Sequence, residues 1–368
     1  LTVLLGRTAV TAQQAPVRPL SIDDALHIHQ FEATTAIRVA KGGRYVAYTV
    51  TNPDRVGARD ARHDFFSAGG VPLEMEGCEV WVADTRTGAA ENVSDGARSS
   101  WGPTWSPDGH SLAFYSDRAG VVQLWIWDVE TKRLRRPTSA VAHEISGLDP
   151  ARWLPDGSGL VIKINPEGVD LAHAFPSQGS DTARLTSDSG ATVVVYRSKQ
   201  VPTPSAPSTP TRIAPRSIGS VLMSDLAVVD LESGRLRRIV RQKPVEMYDV
   251  SPAGGYVAYS TYDSTGTTRQ QPYVDIWIVS TKTGESRAVA RNVPQLFGRN
   301  MSWSPDGDRL AFVVSGYGTD FSDARQSGDC FVVAADGGGE QNVTTGSHPR
   351  FDNALRKPST WVHLWNPF

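Results

Sequence analysis

Few residues of this chain have the type and spacing that chemistry requires. A serine hydrolase carries its nucleophile in a Gly-x-Ser-x-Gly turn, and the 368-residue sequence contains no such string. The nearest run, Asp156-Gly157-Ser158-Gly159-Leu160, lacks the spacing. His27 and His29 alternate, but no pattern supplies the three or four convergent ligands of a metal site. We therefore predict no catalytic residue, no metal site and no cofactor in this chain.

Three aspartates recur in one kind of turn. In a Ser-Pro-Asp-Gly turn, serine opens a type I turn, proline presets φ and glycine closes it. A carboxylate repeated at each turn is explained by hydrogen bonding within the turn, so we interpret it as structural and not as a general acid. The residues predicted to have this role are Pro107, Asp108, Gly109, Pro155, Asp156, Gly157, Pro305, Asp306 and Gly307.

One non-repetitive segment, residues 54–76, is rich in charge and glycine. Loops on a rigid scaffold are where binding residues concentrate. The segment therefore supplies the candidate substrate-contact strip, with a mobile charged loop as the alternative. The strip consists of Arg55, Arg59, Arg62, His63, Phe65 and Phe66.

The turns belong to a longer repeat. Each is followed by a short apolar run and then by a second strand pattern that ends in a polar turn, as in Leu112 to Tyr115 followed by Leu124 to Asp128. Repeats that each supply four strands predict an all-β fold, a β-propeller. Five four-stranded blades are recognisable within residues 19–347, at about 33–95, 97–139, 147–241, 245–291 and 293–345. We expect them to form part of an incomplete seven- or eight-bladed ring, with closure by five blades alone as the alternative.

The ends of the chain do not follow the repeat. Residues 1–18 are predicted to be disordered or the remnant of a signal peptide, and 348–368 to be the start of a further blade or an aberrant tail. The signal-like start favours a periplasmic or secreted protein over a cytoplasmic one. The third blade contains an insertion, which we interpret as an excursion from that blade, with a degenerate extra blade as the alternative.

Composition excludes several partners. The net charge is −2 without long runs of one sign, which argues against nucleic acid. No segment approaches the roughly 18 apolar residues of a membrane span. Cys78 and Cys330 occupy equivalent positions of the first and fifth repeats and are predicted to be free thiols. The oligomeric state stays open, a homo-oligomer included.

Four segments together resemble a known family. Pro19 to Asp24 (part of a short helix predicted over 19–26), Tyr45 to Thr51, Trp105 to Arg118 and Leu124 to Thr138 are similar to the N-terminal propeller of prolyl-oligopeptidase-family (S9) serine peptidases, in the acylaminoacyl- and dipeptidyl-peptidase-like branch. The resemblance covers about residues 19–350. It implies a propeller that caps a C-terminal α/β-hydrolase domain acting on peptides. Neither the nucleophile turn nor the family's acidic pair for the substrate amino terminus is recognisable here.

These observations predict the non-catalytic, substrate-gating propeller of such a peptidase. A first alternative is a self-contained TolB-like propeller that binds proteins in the cell envelope. A second is a five-bladed glycan-binding or glycan-cleaving propeller, which would need a carboxylate pair about 5–9.5 Å apart in its channel. No sequence feature nominates such a pair.

Overall fold

The computed structural model describes residues 21–22, 26–32, 37–56, 66, 70–96, 98–144, 149–168, 185–186, 192–193, 222–263, 273–294, 301–314 and 329–344. Nearly all regular structure in these residues is antiparallel β-sheet. Ile22 and Leu26 are helical, but the rest of the helix predicted over 19–26 lies outside the described residues. No helix among them has the length and apolar character needed to cross a membrane.

The first two blades are separate sheets. In the first, β3 pairs with β4 and β4 with β5, while β1 and β2 both pair along the other edge of β3. Its strands are β1 (Gln30–Phe31), β2 (Arg38–Val39), β3 (Tyr45–Thr51), β4 (Cys78–Asp84) and β5 (Ala90–Asn92), with 3₁₀ turns η1 (Pro53–Arg55) and η2 (Leu73–Met75) between β3 and β4. The second blade has the order β6 (Ser100–Trp105), β7 (Ser111–Ser116), β8 (Gln123–Asp128) and β9 (Leu134–Arg135).

The third and fourth blades share one long strand. β15 (Leu236–Val250) pairs with the third blade over its first half and with the fourth over its second half, so a seven-stranded sheet results. The third blade begins with β10 (Arg152–Trp153), β11 (Gly159–Ile164) and β14 (Met223–Asp230), and β11 pairs directly with β14. The short strands β12 (Leu185–Thr186) and β13 (Thr192–Val193) form a separate pair within the intervening chain.

The remaining strands complete the fourth and fifth blades. The fourth continues from β15 with β16 (Tyr256–Asp263), β17 (Tyr273–Ser280) and β18 (Ser286–Pro294). The fifth has the order β19 (Met301–Trp303), β20 (Arg309–Val313), β21 (Cys330–Ala334) and β22 (Gln341–Asn342). The predicted all-β, propeller-type fold is therefore confirmed in the described residues. The number of blades in the complete ring stays a prediction.

The apolar core lies between neighbouring blades. One cluster joins Val80 and Val82 of the first blade to Leu112 and Phe114 of the second, and all four side chains are buried. Equivalent clusters lie between the third and fourth blades and between the fourth and fifth. Because both faces of a middle strand are covered, β11 is buried along its whole length. Cys78 and Cys330 begin equivalent strands, and both thiols are free, as predicted.

The Ser-Pro-Asp-Gly segments connect the first and second strands of their blades. In the second blade the Gly109 amide donates to the Ser106 carbonyl at 2.9 Å, and Asp108 Oδ1 accepts from the His110 amide at 2.9 Å. The fifth blade repeats the first bond between Gly307 and Ser304 at 2.9 Å. Hydrogen bonds within the turns lower the pKa values of all three turn aspartates, Asp108, Asp156 and Asp306.

Candidate functional site

All the long connections leave the blades at one end. Four of them join the second strand of a blade to its third, in the first, third, fourth and fifth blades, and residues 136–151 join the last strand of the second blade to the first strand of the third. The strands of a blade are antiparallel, so these connections start and finish at the same edge. Hydrogen bonds between inner strands join the first blade to the second, the second to the third and the fourth to the fifth. We call this end the insertion face, defined by the strand ends Thr51, Ile164, Asp263 and Val313.

Arg55 is the one basic residue of the predicted contact strip that the structure describes. Its Nε lies 3.1 Å from Glu79 Oε1, and the Glu79 side chain is only 4% exposed while that of Arg55 is 40% exposed. Glu79 also accepts hydrogen bonds from Asn52 Nδ2 at 3.3 Å and Trp81 Nε1 at 3.2 Å. A Cβ at Gly96 would lie 2.7 Å from the Arg55 guanidinium, so the arginine packs directly on that glycine. Arg55 is therefore held in place by Glu79 and Gly96 while its side chain stays partly exposed.

Phe66 behaves differently from Arg55. Its side chain is buried, and the residue forms an isolated β-bridge with Pro72. The ring therefore lies in the core and not on the surface. The other members of the strip lie outside the described residues, so the strip as a whole stays a prediction; they are Arg59, Arg62, His63 and Phe65.

Asp117 and Arg118, which are adjacent after β7, form ion pairs with different partners and not with each other. Asp117 Oδ2 lies 3.6 Å from Arg98 Nη1, whereas Arg118 Nη2 lies 3.0 Å from Asp95 Oδ2. Adjacent residues of an extended segment direct their side chains to different sides, so the two side chains reach different partners. Burial raises the pKa of Asp117, with the Arg98 charge acting in the opposite direction.

A buried polar cluster, which the sequence analysis missed, joins the third and fourth blades at the insertion face. Lys163 is 1% exposed, forms an ion pair with Asp149, and donates to the Val245 carbonyl of the fourth blade at 3.4 Å. Glu246 accepts from Ser260 Oγ at 3.3 Å. Burial and the charge of Asp149 raise the pKa of Glu246 to about 8. The sequence feature that could have indicated this cluster is Lys163, a lysine within the otherwise apolar strand β11.

The histidine and glutamate next to this cluster are also buried. His143 Nδ1 lies 2.8 Å from Asn165 Oδ1, and Trp101 Nε1 donates to Glu144 Oε2 at 2.8 Å. Both side chains thus take part in packing at the edge of the third blade. Within the described part of the chain, no three His, Cys, Asp or Glu side chains converge as metal ligands do. The bond between Trp101 and Glu144 connects the second blade to the segment that precedes the third.

Sequence comparison finds relatives among peptidases. No family model matches the chain. It is 34% identical over 87 residues to the uncharacterized peptidase YuxL of Bacillus subtilis, a match that covers 23% of this chain and 13% of that protein. It is 24% identical over 188 residues to the lasso peptide isopeptidase AtxE2 of Asticcacaulis excentricus, covering 46% of this chain and 25% of that protein. The matches span a quarter or less of the length of these two relatives. The predicted resemblance to peptidases is confirmed.

Solved structures give a more distant likeness. An acylaminoacyl peptidase from Pyrococcus horikoshii has a TM-score of 0.47 at 13% identity, covering 87% of this chain and 40% of that one. The β-propeller domain of the Trilobed protease from Pyrococcus furiosus has a TM-score of 0.46 at 13% identity, covering 87% and 74%. TolB from Acinetobacter baumannii has a TM-score of 0.43 at 15% identity, covering 82% and 53%. The fold assignment rests on the strand pairing of this chain itself.

Proposed function

We propose that this chain is the substrate-gating propeller of a serine peptidase of the prolyl-oligopeptidase type, in which an α/β-hydrolase domain outside the printed sequence hydrolyses peptides. The observation that carries the proposal is sequence similarity to two curated proteins that are both named as peptidases. The sequence contains no Gly-x-Ser-x-Gly string, which agrees with a nucleophile located outside these residues.

The gating role is supported by how the blades are joined. Neighbouring inner strands are connected by hydrogen bonds and by apolar clusters, so the wall around the centre resists opening. In a complete ring, an opening at the centre would admit an extended chain and exclude a folded domain by size. The long connections all leave at the insertion face, where they would meet an incoming peptide first.

Arg55 is the described residue best placed to contact that peptide. Glu79 and the bare backbone of Gly96 fix the guanidinium, which limits the entropy lost when a ligand binds. Its solvent-facing N–H groups would donate to backbone carbonyls or to a carboxylate of the substrate. The residue would orient a peptide and take no part in bond cleavage.

Size selectivity tests the gating role in the protein that contains this chain. We expect it to hydrolyse a short unstructured peptide, and to leave the same sequence intact when it is placed in a loop of a stable folded domain. The Arg55→Gln variant should raise KM for the short peptide with little change in kcat, since the contact is made before and during the reaction alike. The matched control is Arg86→Gln, which changes an exposed arginine in the turn between β4 and β5.

Equal hydrolysis of the peptide and the folded domain would contradict the gating role. If the protein that contains this chain hydrolysed neither substrate but bound a partner protein, the TolB-like binding module would replace the proposal.

A further inference from the structure

The outer strands of three blades are rich in positive charge. In the second, third and fourth blades, the outermost strand and the turn that leads into it contain twelve Lys and Arg against five Asp and Glu, although the whole chain has a net charge of −2. We call these segments, residues 128–137, 230–244 and 280–294, the basic rim. No long run of one sign marks the rim in the sequence, because its segments lie in three different repeats.

The three segments form one continuous surface, since the turn before each outer strand packs on the outer strand of the preceding blade. A Cβ at Gly234 would lie 3.2 Å from the carbonyl oxygen of Pro137, and a Cβ at Gly284 would lie 3.6 Å from that of Ile239. On both sides of the first contact, the residue next to it in the sequence is an arginine. Cations of the second and third blades can therefore contact a single ligand.

Much of this charge is not neutralised by the chain itself. Within the described residues, ion pairs with carboxylates engage Lys132, Arg238 and Arg291. A surplus of exposed charge of one sign attracts a ligand of the opposite sign and raises its rate of association. The exposed cations of the rim for which the described residues provide no carboxylate include Arg133, Arg135, Arg136, Arg235, Arg241 and Lys243.

Protection of strand edges does not account for the rim. Charged side chains on an edge strand prevent it from pairing with another chain. Every blade has an outer strand and needs this protection equally. The outer strands of the first and fifth blades, β5 and β22, nevertheless contain no Lys or Arg. The positive charge is therefore a property of three consecutive blades and requires a separate explanation.

The surroundings of the rim favour an acidic polypeptide over other polyanions. Single-stranded nucleic acids bind by stacking their bases on aromatic side chains. Cations of the rim already cover the nearby rings, since Lys132 Nζ lies 4.6 Å from the centroid of the Trp127 ring and Arg291 Cζ lies 4.9 Å from that of Trp277. A flat membrane would contact fewer than three blades at once, because propeller blades are arranged radially. A flexible acidic segment can follow all three.

We propose that the basic rim binds an extended acidic segment of a partner protein. Nine of its twelve cations are arginines. Their planar guanidinium groups pair with carboxylates through two parallel hydrogen bonds. The rim needs no catalytic domain, so this proposal stands or falls separately from the peptidase proposal.

Fluorescence anisotropy of labelled ligands added to this chain tests the proposal. The probes are a short peptide of alternating serine and glutamate, the same peptide with glutamine in place of glutamate, and oligothymidylate. Cosedimentation with vesicles that contain phosphatidylserine tests membrane binding. We expect the glutamate peptide to bind with an affinity that falls as the salt concentration rises, and the glutamine peptide not to bind.

Two matched pairs of substitutions locate the surface. Arg235→Gln combined with Arg241→Gln should weaken binding of the glutamate peptide roughly fivefold or more, because two exposed ion pairs are lost. Lys41→Gln combined with Arg86→Gln removes the same charge from exposed positions of the first blade. This control pair should bind the glutamate peptide as the unmodified chain does.

Arg133→Gln combined with Arg135→Gln tests the second blade in the same way, and it keeps the test decisive if the first rim pair folds poorly. Unchanged affinity in both rim pairs, equal weakening by the control pair, or equal binding of the two peptides would overturn the proposal. Absence of binding by the glutamate peptide would overturn it as well. Tighter binding of oligothymidylate or of the vesicles would also overturn it and assign the rim to nucleic acid or to a membrane surface.

Discussion

Trp153 Nε1 donates a hydrogen bond of 3.0 Å to the carbonyl oxygen of Thr104, which ties the inner strand of the third blade to that of the second. The bond recurs between Trp105 and Arg38 at 3.0 Å and between Trp303 and Asp249 at 3.2 Å. In the fourth blade Val250 occupies the tryptophan position, and the ion pair between Arg152 and Asp249 connects the two inner strands there. The repeated tryptophans are therefore connections between blades.

Replacing Trp153 by phenylalanine should destabilise the chain. The ring volume is largely kept, but the Thr104 carbonyl loses its donor, and an unsatisfied polar group costs about 1–3 kcal/mol. Urea unfolding of Trp153→Phe measures the loss. Trp125→Phe is the matched control, because Trp125 Nε1 is buried without a hydrogen-bond partner and its removal breaks no bond. An equal loss in the two variants would contradict the role of the Trp153 bond.

Two glycines of equivalent turns should respond differently to alanine. Gly109 and Gly157 have φ values of +81° and +74°, so alanine strains both by about 1 kcal/mol. At Gly109 the added Cβ would also lie 3.2 Å from the backbone nitrogen of Lys41 in the first blade, whereas at Gly157 it would meet nothing within 4 Å. We expect Gly109→Ala to unfold at a lower urea concentration than Gly157→Ala. The reverse order would show that the turns do not pack against the preceding blade as described.

Glu246 should make the stability depend on pH. Burial and the charge of Asp149 raise its pKa from 4.5 to about 8 in the folded state, with Lys163 and Ser260 opposing the shift. Between these two values the folded chain binds more protons than the unfolded chain, so this group lowers the stability as pH rises from about 4.5 to about 8. Above about pH 8 the destabilising contribution of Glu246 has reached its full size.

The Glu246→Gln variant removes this dependence, since glutamine does not titrate. Urea unfolding at pH 5, 7 and 9 should show the variant gaining stability relative to the unmodified chain as pH rises. Glu285→Gln changes an exposed carboxylate and serves as the control. A constant difference between Glu246→Gln and the unmodified chain at all three pH values would contradict the assignment.

Gly96→Ala should disturb the candidate substrate contact indirectly, by displacing Arg55. The added Cβ would lie 2.7 Å from the Arg55 guanidinium and would displace it from Glu79. In the protein that contains this chain, we expect KM for a short peptide to rise as it does in Arg55→Gln, with kcat little changed. If Gly96→Ala and Arg55→Gln raised KM additively when combined, the two residues would act independently, contrary to this account.

Local features were predictable from the sequence, and contacts between blades were not. The turn around Asp108 follows from four adjacent residues, and the repeat that contains it predicts a four-stranded unit. The Arg55 contact with Glu79 and the Lys163 contact with Asp149 depend on how distant segments pack, which no local pattern encodes. The ion pair of Asp117 shows the same limit, since Arg118 is adjacent in sequence but the fold supplies Arg98.

The burial of Phe66 illustrates a second limit. Within a charged, glycine-rich segment an aromatic residue is equally compatible with a surface contact and with a small core of its own. Phe66 forms a β-bridge with Pro72, and its side chain is buried in the core.

The central claim is that this chain is the non-catalytic propeller of a serine peptidase. The most direct test is labelling with a fluorophosphonate probe, applied to this chain and to the protein that contains it, followed by mass-spectrometric mapping of the modified serine. The account predicts that this chain stays unlabelled and that the larger protein is labelled on a serine outside residues 1–368. A labelled serine within these residues, or an unlabelled larger protein, would contradict it.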